Sequence, residues 1–297
     1  MRLLFPALRR HLAALRMLLI FTVVCGIAYP LAILGIAQLP GLRDRADGSL
    51  VTRNGAIVGS SLLGQQFTDS DGNPLRQYFQ PRPSAAGDGY DPTASSAGNL
   101  GPESVVDTLP DPSDPSDTGK SSLLTQVCSR SLAIGAFDGV DGSRPFCTAD
   151  GVGAVLAVFW SGPGYAGQVV RVVSVNQACP ATPFLSSYDG ATVECATYGQ
   201  DYAAGQVVPI RGDAPVDPAV PSDAVTASGS GLDPDISPAY AAIQVARIAD
   251  ARGVAPAQVQ ALVAAHTAGR ALGFLGEPAV DVLQLNLALD QAYPSRP

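Results

Sequence analysis

The chain reads as an α+β protein. A single N-terminal transmembrane helix is followed by an extracytoplasmic mixed α/β domain that carries a β-rich, disulfide-stapled insertion. Three observations predict this: an uncharged apolar run of bilayer length at residues 17–39, four cysteines confined to the part beyond it, and helical periodicity with matching cap residues near the C-terminal end. With 297 residues, 46% of them hydrophobic, the chain is long enough for one large or two small domains with packed cores.

Residues 1–16 hold Arg2, Arg9, Arg10, His11 and Arg16 and no acid. The run at 17–39 has no charge over 23 residues, and about 20 suffice to cross a bilayer core as a helix. Asp44 and Asp47 follow it. The positive-inside rule therefore places residues 1–16 in the cytoplasm and 40–297 outside. Pro30 lies mid-span, where a kink is tolerated if neighbouring helices cover the freed carbonyl. With Gly26 and Gly35 it suits packing against other spans, so Pro30 is a candidate partner contact. A cleaved signal peptide is the competing reading, because Gly35-Ile36-Ala37 resembles a small-x-small cleavage site. The run is longer than the roughly 7–15 residues of a signal core, which favours an anchor.

Cys25 falls inside the span, whereas Cys128, Cys147, Cys179 and Cys195 lie beyond it. An even number in an exported region suits an oxidising compartment. Four cysteines allow three pairings, and Cys128–Cys147 with Cys179–Cys195 closes the shortest loops. Spacing of the C-x-x-C kind, which zinc sites use, is absent.

After the anchor, Asn54-Gly55 between residues 49–53 and 56–59 reads as a hairpin turn. Gln80-Pro81-Arg82-Pro83 cannot form a central strand, since each proline removes a ladder donor, and is expected as a fixed loop. The Pro, Asp and Ser repeat at 109–117 marks a linker without apolar surface to bury. The insertion, about 109–221, holds Val-rich strand signals at 152–160 and 168–175, separated by Gly162-Pro163-Gly164, and a third at 192–195. Its contacts are expected to be mostly internal, which would make it dispensable for assembly. Ser237 is a good N-cap with Pro238 at N1, and Gly253 suits the C′ position. Between them Ala242, Val245, Ala246, Ile248 and Ala249 form the expected apolar stripe. A second helix is expected from Pro256 with Val259, Leu262 and Val263, and a third from Asp281 through Leu283 and Leu287 to Asp290.

The net charge of −8 leaves an acidic exported part that repels phosphate backbones, arguing against nucleic-acid partners. Only two histidines are present, His11 and His266, without a close Cys or carboxylate cluster, so no metal site is expected. The Gly-rich loop from Thr226 to Pro234 contains Ser228-Gly229-Ser230-Gly231. Glycines allow close backbone approach to a ligand, and these four residues are a candidate nucleotide contact. The loop lacks both phosphate-loop fingerprints and any lysine, and a tight turn leading to the Ser237 cap accounts for it as well. Ser228 or Ser230 with His266 and Asp233 lacks the G-x-S-x-G elbow, so no catalytic residue is assigned. Arg82, between prolines, and Arg270, after Gly269, are placed to bind a carboxylate or a phosphate bidentately, or to form an internal salt bridge or a carbonyl clamp. The apolar run from Leu272 to Pro278 fits either core or a docking surface.

Several blocks together resemble the C subunit of the Kdp-type potassium-transporting P-type ATPase, in its actinobacterial form. They are Tyr29-Pro30-Leu31, Gly48-Ser49-Leu50, Leu63-Gly64-Gln65-Gln66-Phe67, Tyr78-Phe79-Gln80-Pro81-Arg82-Pro83-Ser84, Asn99-Leu100-Gly101-Pro102, the stretch 225–238, and 266–278 with Leu285-Asn286-Leu287. The family pattern is broken at Tyr90-Asp91-Pro92, at Ser96-Ala97-Gly98-Asn99 and at Asp235, where a histidine is usual. Most of 109–221 stands where typical members have a short helical connection.

The resemblance implies a non-catalytic accessory subunit of a complex that imports potassium at the expense of ATP. Its partners would be a potassium-pore subunit, a P-type ATPase subunit and the lipid bilayer. Pro30, Gln65, Arg82 and Arg270 are then candidate partner contacts. The family's role as a catalytic chaperone implies a raised ATP affinity of the pump subunit, with no cofactor of the subunit's own and ATP entering through the complex. Direct contact with ATP conflicts with an extracytoplasmic domain, whereas coupling through the conformation of the complex does not. The readings from other classes are a membrane-anchored hydrolase or ligand-binding domain acting alone, and a purely structural assembly factor.

Overall fold

A computed structural model describes residues 4–295 as two compact units, one up to Leu62 and one from Leu63 onward.

The first unit begins with α1 (Leu4–Val23), one π-helical turn (Val24–Ala28) and α2 (Tyr29–Ala37), followed by α3 (Arg43–Ala46). Pro30 explains the π turn. It lacks an N–H and its ring crowds the carbonyl four residues back, so the ladder widens where the proline enters. Among the described residues, Leu8–Ala37 is the one helix long and apolar enough to cross a membrane, with mean hydropathy 2.4. Cys25 within it is an exposed free thiol. The expected hairpin forms between β1 (Leu50–Arg53) and β2 (Ala56–Ser60). Asn54 (φ 52°) and Gly55 (φ 82°) supply the two left-handed residues that a tight hairpin turn requires.

The second unit opens with turns and loops. The insertion then begins with a helix that the strand signals had not suggested: α4 (Leu123–Asp138). Its cap residues are visible in the sequence. The Ser122 side chain accepts from Thr125 N–H, and Gly139 closes the helix in the left-handed conformation. The expected linker at 109–117 is a closed loop instead. Thr108 and Lys120 pair at its base, and Asp111, Asp114 and Asp117 cap their own turns at 2.7–2.9 Å. Aspartate side chains thus order a segment that has no apolar surface to bury.

Five strands follow: β3 (Val155–Gly162), β4 (Ala166–Ala178), β5 (Ser187–Tyr188), β6 (Ala191–Ala196) and β7 (Gln206–Pro209). They pair in the order β5-β6-β4-β3-β7, antiparallel except β4–β6. One face of the sheet buries Leu156, Val158, Val172 and Val193; the other buries Val155, Ala157 and Val175, with Leu124 of α4 packed against it. Disulfides join Cys128 to Cys147 and Cys179 to Cys195, with Cα–Cα distances of 5.4 and 5.1 Å. This is the pairing that closes the shortest loops.

The C-terminal part contains α5 (Ser222–Val225), β8 (Asp235–Ile236), α6 (Pro238–Arg252), α7 (Pro256–Ala265), β9 (Thr267–Ala268), β10 (Ala279–Asp281) and α8 (Val282–Ala292). Strand β10 lies between β8 and β9. The predicted caps hold. The Ser237 hydroxyl accepts from Tyr240 N–H at 3.0 Å, Gly253 is left-handed, and the Asp281 carboxylate accepts from Gln284 N–H at 2.8 Å.

Two expectations hold in part. Of the predicted α6 stripe, Val245, Ile248 and Ala249 are buried but Ala242 and Ala246 are exposed, and the polar residues Gln244, Arg247 and Arg252 are buried with Tyr240 instead. The insertion's sheet makes its contacts mostly within itself, as expected, but α4 joins it to the rest of the unit. Val127, Ile134 and Val140 pack into the main core beside Phe79, Val220, Ile248 and Leu285. Asp138, the last residue of α4, forms an ion pair at 2.7 Å with Arg247 of α6, the two side chains being 2% and 1% exposed.

Candidate functional site

Residues 76–84 form a strap with no regular secondary structure, as the prolines require. A strap that cannot join a sheet must find other partners for its buried amides, and side chains of α6 and α8 provide them. Asn286 holds Phe79 at both ends: Phe79 N–H donates to Asn286 Oδ1 (2.9 Å), and Asn286 Nδ2 donates to Phe79 O (3.0 Å). Gln244 holds Gln80 in the same way, at 2.7 and 3.2 Å. Arg247 donates to the carbonyls of Arg76 and Tyr78, and Arg252 to that of Gln77. Burial in this cluster pushes the Asp138 carboxyl up and the Arg247 guanidinium down, and the attraction between them opposes both shifts.

Arg82, at the far end of the strap, donates to Asp233 Oδ2 at 2.9 Å and to Thr226 O at 3.3 Å. It is thereby joined to the Gly-rich loop. That loop is stapled to the chain around it: Ser84 Oγ donates to Gly231 O (2.6 Å), Ser95 Oγ and Ser96 N to Ser230 O (2.9 and 3.1 Å), and Gly64 N to Leu232 O (2.9 Å). Gly231 has φ 70°, and a Cβ there would lie 2.8 Å from both Ala86 Cβ and Ser96 O. Within the loop, Ser228 Oγ accepts from Gly231 N–H (2.9 Å), and Ser230 Oγ accepts from Leu232 N–H (3.1 Å). Two amides that could face an anion are thus already bonded to the loop's own serines. Tyr90 supports the arrangement, donating its hydroxyl to Arg82 O at 2.9 Å, and burial raises its pKa.

The structure therefore brings together Arg82, the four residues 228–231 and, through Gly64, the half-buried Gln65. Arg270 lies elsewhere, on an exposed turn, where it donates to Gly276 O at 2.7 Å and pairs with Glu277. That turn displays Leu272, Phe274 and Leu275 at 83%, 69% and 50% exposure, so the run 272–278 is not core. Pro30 belongs to the other unit. His266 caps the end of α7, its Nδ1 2.9 Å from Leu262 O.

Sequence reasoning missed the opposite wall of this site. A groove of about 490 Å³ separates Pro81, Arg82 and Tyr90 from Arg130, Ala133 and Ile134 of α4. The Ser122 and Gly139 caps could have revealed the helix, but nothing local pairs Arg130 with Arg82.

The family model for the c chain of K+-transporting ATPase, KdpC, matches residues 11–107 and 198–291. The chain belongs to the KdpC family. The match includes the strap, the Gly-rich loop and the helices that hold them, and leaves out residues 108–197, most of the insertion.

Curated relatives are similar over nearly their whole length. The "Potassium-transporting ATPase KdpC subunit" of Kineococcus radiotolerans is 39% identical over 287 residues, covering 97% of this chain and 96% of that one. The protein of the same name from Mycobacterium tuberculosis is 36% identical over 283 residues, covering 95% and 98%. That from Beijerinckia indica is 34% identical over 277 residues, covering 93% and 91%. With matches this complete, the segment outside the family model is not peculiar to this chain. A KdpC protein is a non-catalytic subunit, and its one long apolar helix makes this chain a single-pass membrane protein.

Proposed function

We propose that this chain is the accessory subunit of an ATP-driven potassium importer. In this reading it is assembled with a potassium-pore subunit and a P-type ATPase subunit, and raises the ATP affinity of the latter. The observation that carries it is the family match on both sides of the insertion, covering the anchor, the strap and the Gly-rich loop together. The bulk of the chain stands outside the cytoplasm, a placement supported by the basic N-terminus and by two disulfides beyond the span. ATP affinity then changes by linkage: the rigid domain binds one conformational state of the complex better than another. The inward bonding of the Gly-rich loop favours this over direct contact of residues 228–231 with nucleotide.

The test is purification of the tagged full-length chain from potassium-limited cells in mild detergent, followed by ATPase titration. A pore protein and a pump should arrive together, with potassium-stimulated hydrolysis. Stripping the chain from the complex should raise half-saturating ATP by about 5–150-fold, the usual range of such coupling. A chain that purifies alone from cells expressing the pump overturns the subunit reading. An unchanged ATP requirement overturns the affinity role and leaves assembly.

A further inference from the structure

We propose that the groove between the Arg82 strap and helix α4 receives one carboxylate, an Asp or Glu side chain presented by another subunit of the complex. The inference rests on the subunit reading above and adds the chemistry of one contact.

Arg130 is a half-buried guanidinium whose bonds go to neutral acceptors: Nη1 to Val225 O at 3.0 Å and Nη2 to Gln126 Oε1 at 3.2 Å. Arg82 across the groove has Asp233 on Nη1 and Thr226 O on Nη2, while its Nε is buried with no acceptor. No acidic residue lines the groove. Asp233 thus pairs with Arg82, whereas Arg130 has neutral acceptors only, which leaves its positive charge in excess at the α4 wall, on a chain whose net charge is −8. Such a site favours an anion strongly over its surroundings.

The excess matches a monoanion better than a polyphosphate, and no lysine is present to meet a larger charge. Guanidinium forks bind carboxylates through paired N–H donors. The remaining walls are apolar: Pro83, Ala133, Ile134 and Ala224 suit the stem of a peptide side chain.

Both cations are held in place before anything binds. Arg82 sits between two prolines, with Tyr90 bonded to its carbonyl. Arg130 stands on a helix fixed by the Cys128–Cys147 disulfide and the Asp138–Arg247 pair. Preorganised charges of this kind lose little freedom on binding. The insertion thereby supplies half of a contact surface whose other half lies within the family match.

Phenylglyoxal, which modifies accessible arginine, tests this by peptide mass mapping of the free detergent-solubilised chain and of the assembled complex. Arg130 should react in the free chain and be protected at least tenfold in the complex. Arg130→Glu should lose the other subunits in a salt wash that the wild type survives. Arg130→Lys, which keeps the charge but not the fork, should release them at a salt concentration between those for Arg130→Glu and the wild type, while both variants unfold within a few degrees of the wild type. Equal reactivity of Arg130 in both forms, or full retention by Arg130→Glu, overturns the proposal while leaving the subunit reading intact. Protection of the free chain by millimolar inorganic phosphate, with no gain on assembly, assigns the groove to a free anion instead. If the wild type brings down no other subunit, the subunit reading falls and the proposal falls with it.

Discussion

The ion pair between Asp138 and Arg247 allows the sharpest test of how the insertion is joined to the rest of the second unit. In Asp138→Ala, Arg247 keeps its bonds to Gln244 Oε1 (2.8 Å) and to two strap carbonyls, but its charge is buried without a counter-ion. Both side chains are at most 2% exposed, so water cannot substitute. Removing one partner of such a pair costs about 3–5 kcal/mol, against a total stability of about 5–15 kcal/mol for an ordinary domain. At about 2–4 °C per kcal/mol for a domain of this size, the midpoint should fall on the order of 10 °C.

The assay is thermal unfolding of the full-length chain in detergent, followed by far-UV circular dichroism and by the fluorescence of Trp160. Trp160 is the single tryptophan and lies in β3 of the insertion sheet. In the wild type and in Asp138→Ala the two probes should move together, because α4 packs into both the sheet and the main core. A fall below about 3 °C would refute the reasoning. So would a variant in which the tryptophan transition shifts and the helical signal does not, since the insertion would then be an autonomous appendage.

Three further outcomes follow from the same geometry. Asn286→Ala leaves the N–H and C=O of the fully buried Phe79 without partners; at about 1–3 kcal/mol per orphaned group, the strap should become the first site of limited proteolysis. Gly231→Ala forces a left-handed alanine, costing about 1–2 kcal/mol before the contacts with Ala86 and Ser96 are counted. Gly229→Ala, with nothing within 4 Å, should be neutral in the same melting assay, so equal effects would contradict the loop geometry. Asp235 and Asp281 are paired across β8 and β10, and the pKa of each is raised, chiefly by burial, with Asp281 and Asp233 adding to the shift at Asp235. Groups with raised folded-state values stabilise the fold below the ordinary aspartate range and lose that contribution as pH rises through the raised values. Asp235→Asn should therefore match the wild type at about pH 4 and exceed it by about 0.5 kcal/mol near pH 7; a gain that shrinks as pH rises would refute the assignment.

Local chemistry made much of the fold legible in the sequence. The uncharged run fixed the span, Asn54-Gly55 the hairpin, and Ser237, Gly253, Pro256 and Asp281 the helix ends, because each signal acts within a few residues of itself. The prolines around Arg82 likewise showed that the strap could not be a central strand. What occupies the strap's amides was decided by tertiary structure alone. Gln244, Arg247 and Asn286 are polar residues on helices, and periodicity assigns such residues to water; they are buried here because a strap without a β-ladder requires side-chain partners. The same limit hid Arg130 opposite Arg82 and Asp138 beneath Arg247, which lies 109 residues further along the chain. Cap and turn signals report the backbone's nearest neighbours. A buried charge reports only where the chain returns, and that is settled when α4 packs against α6.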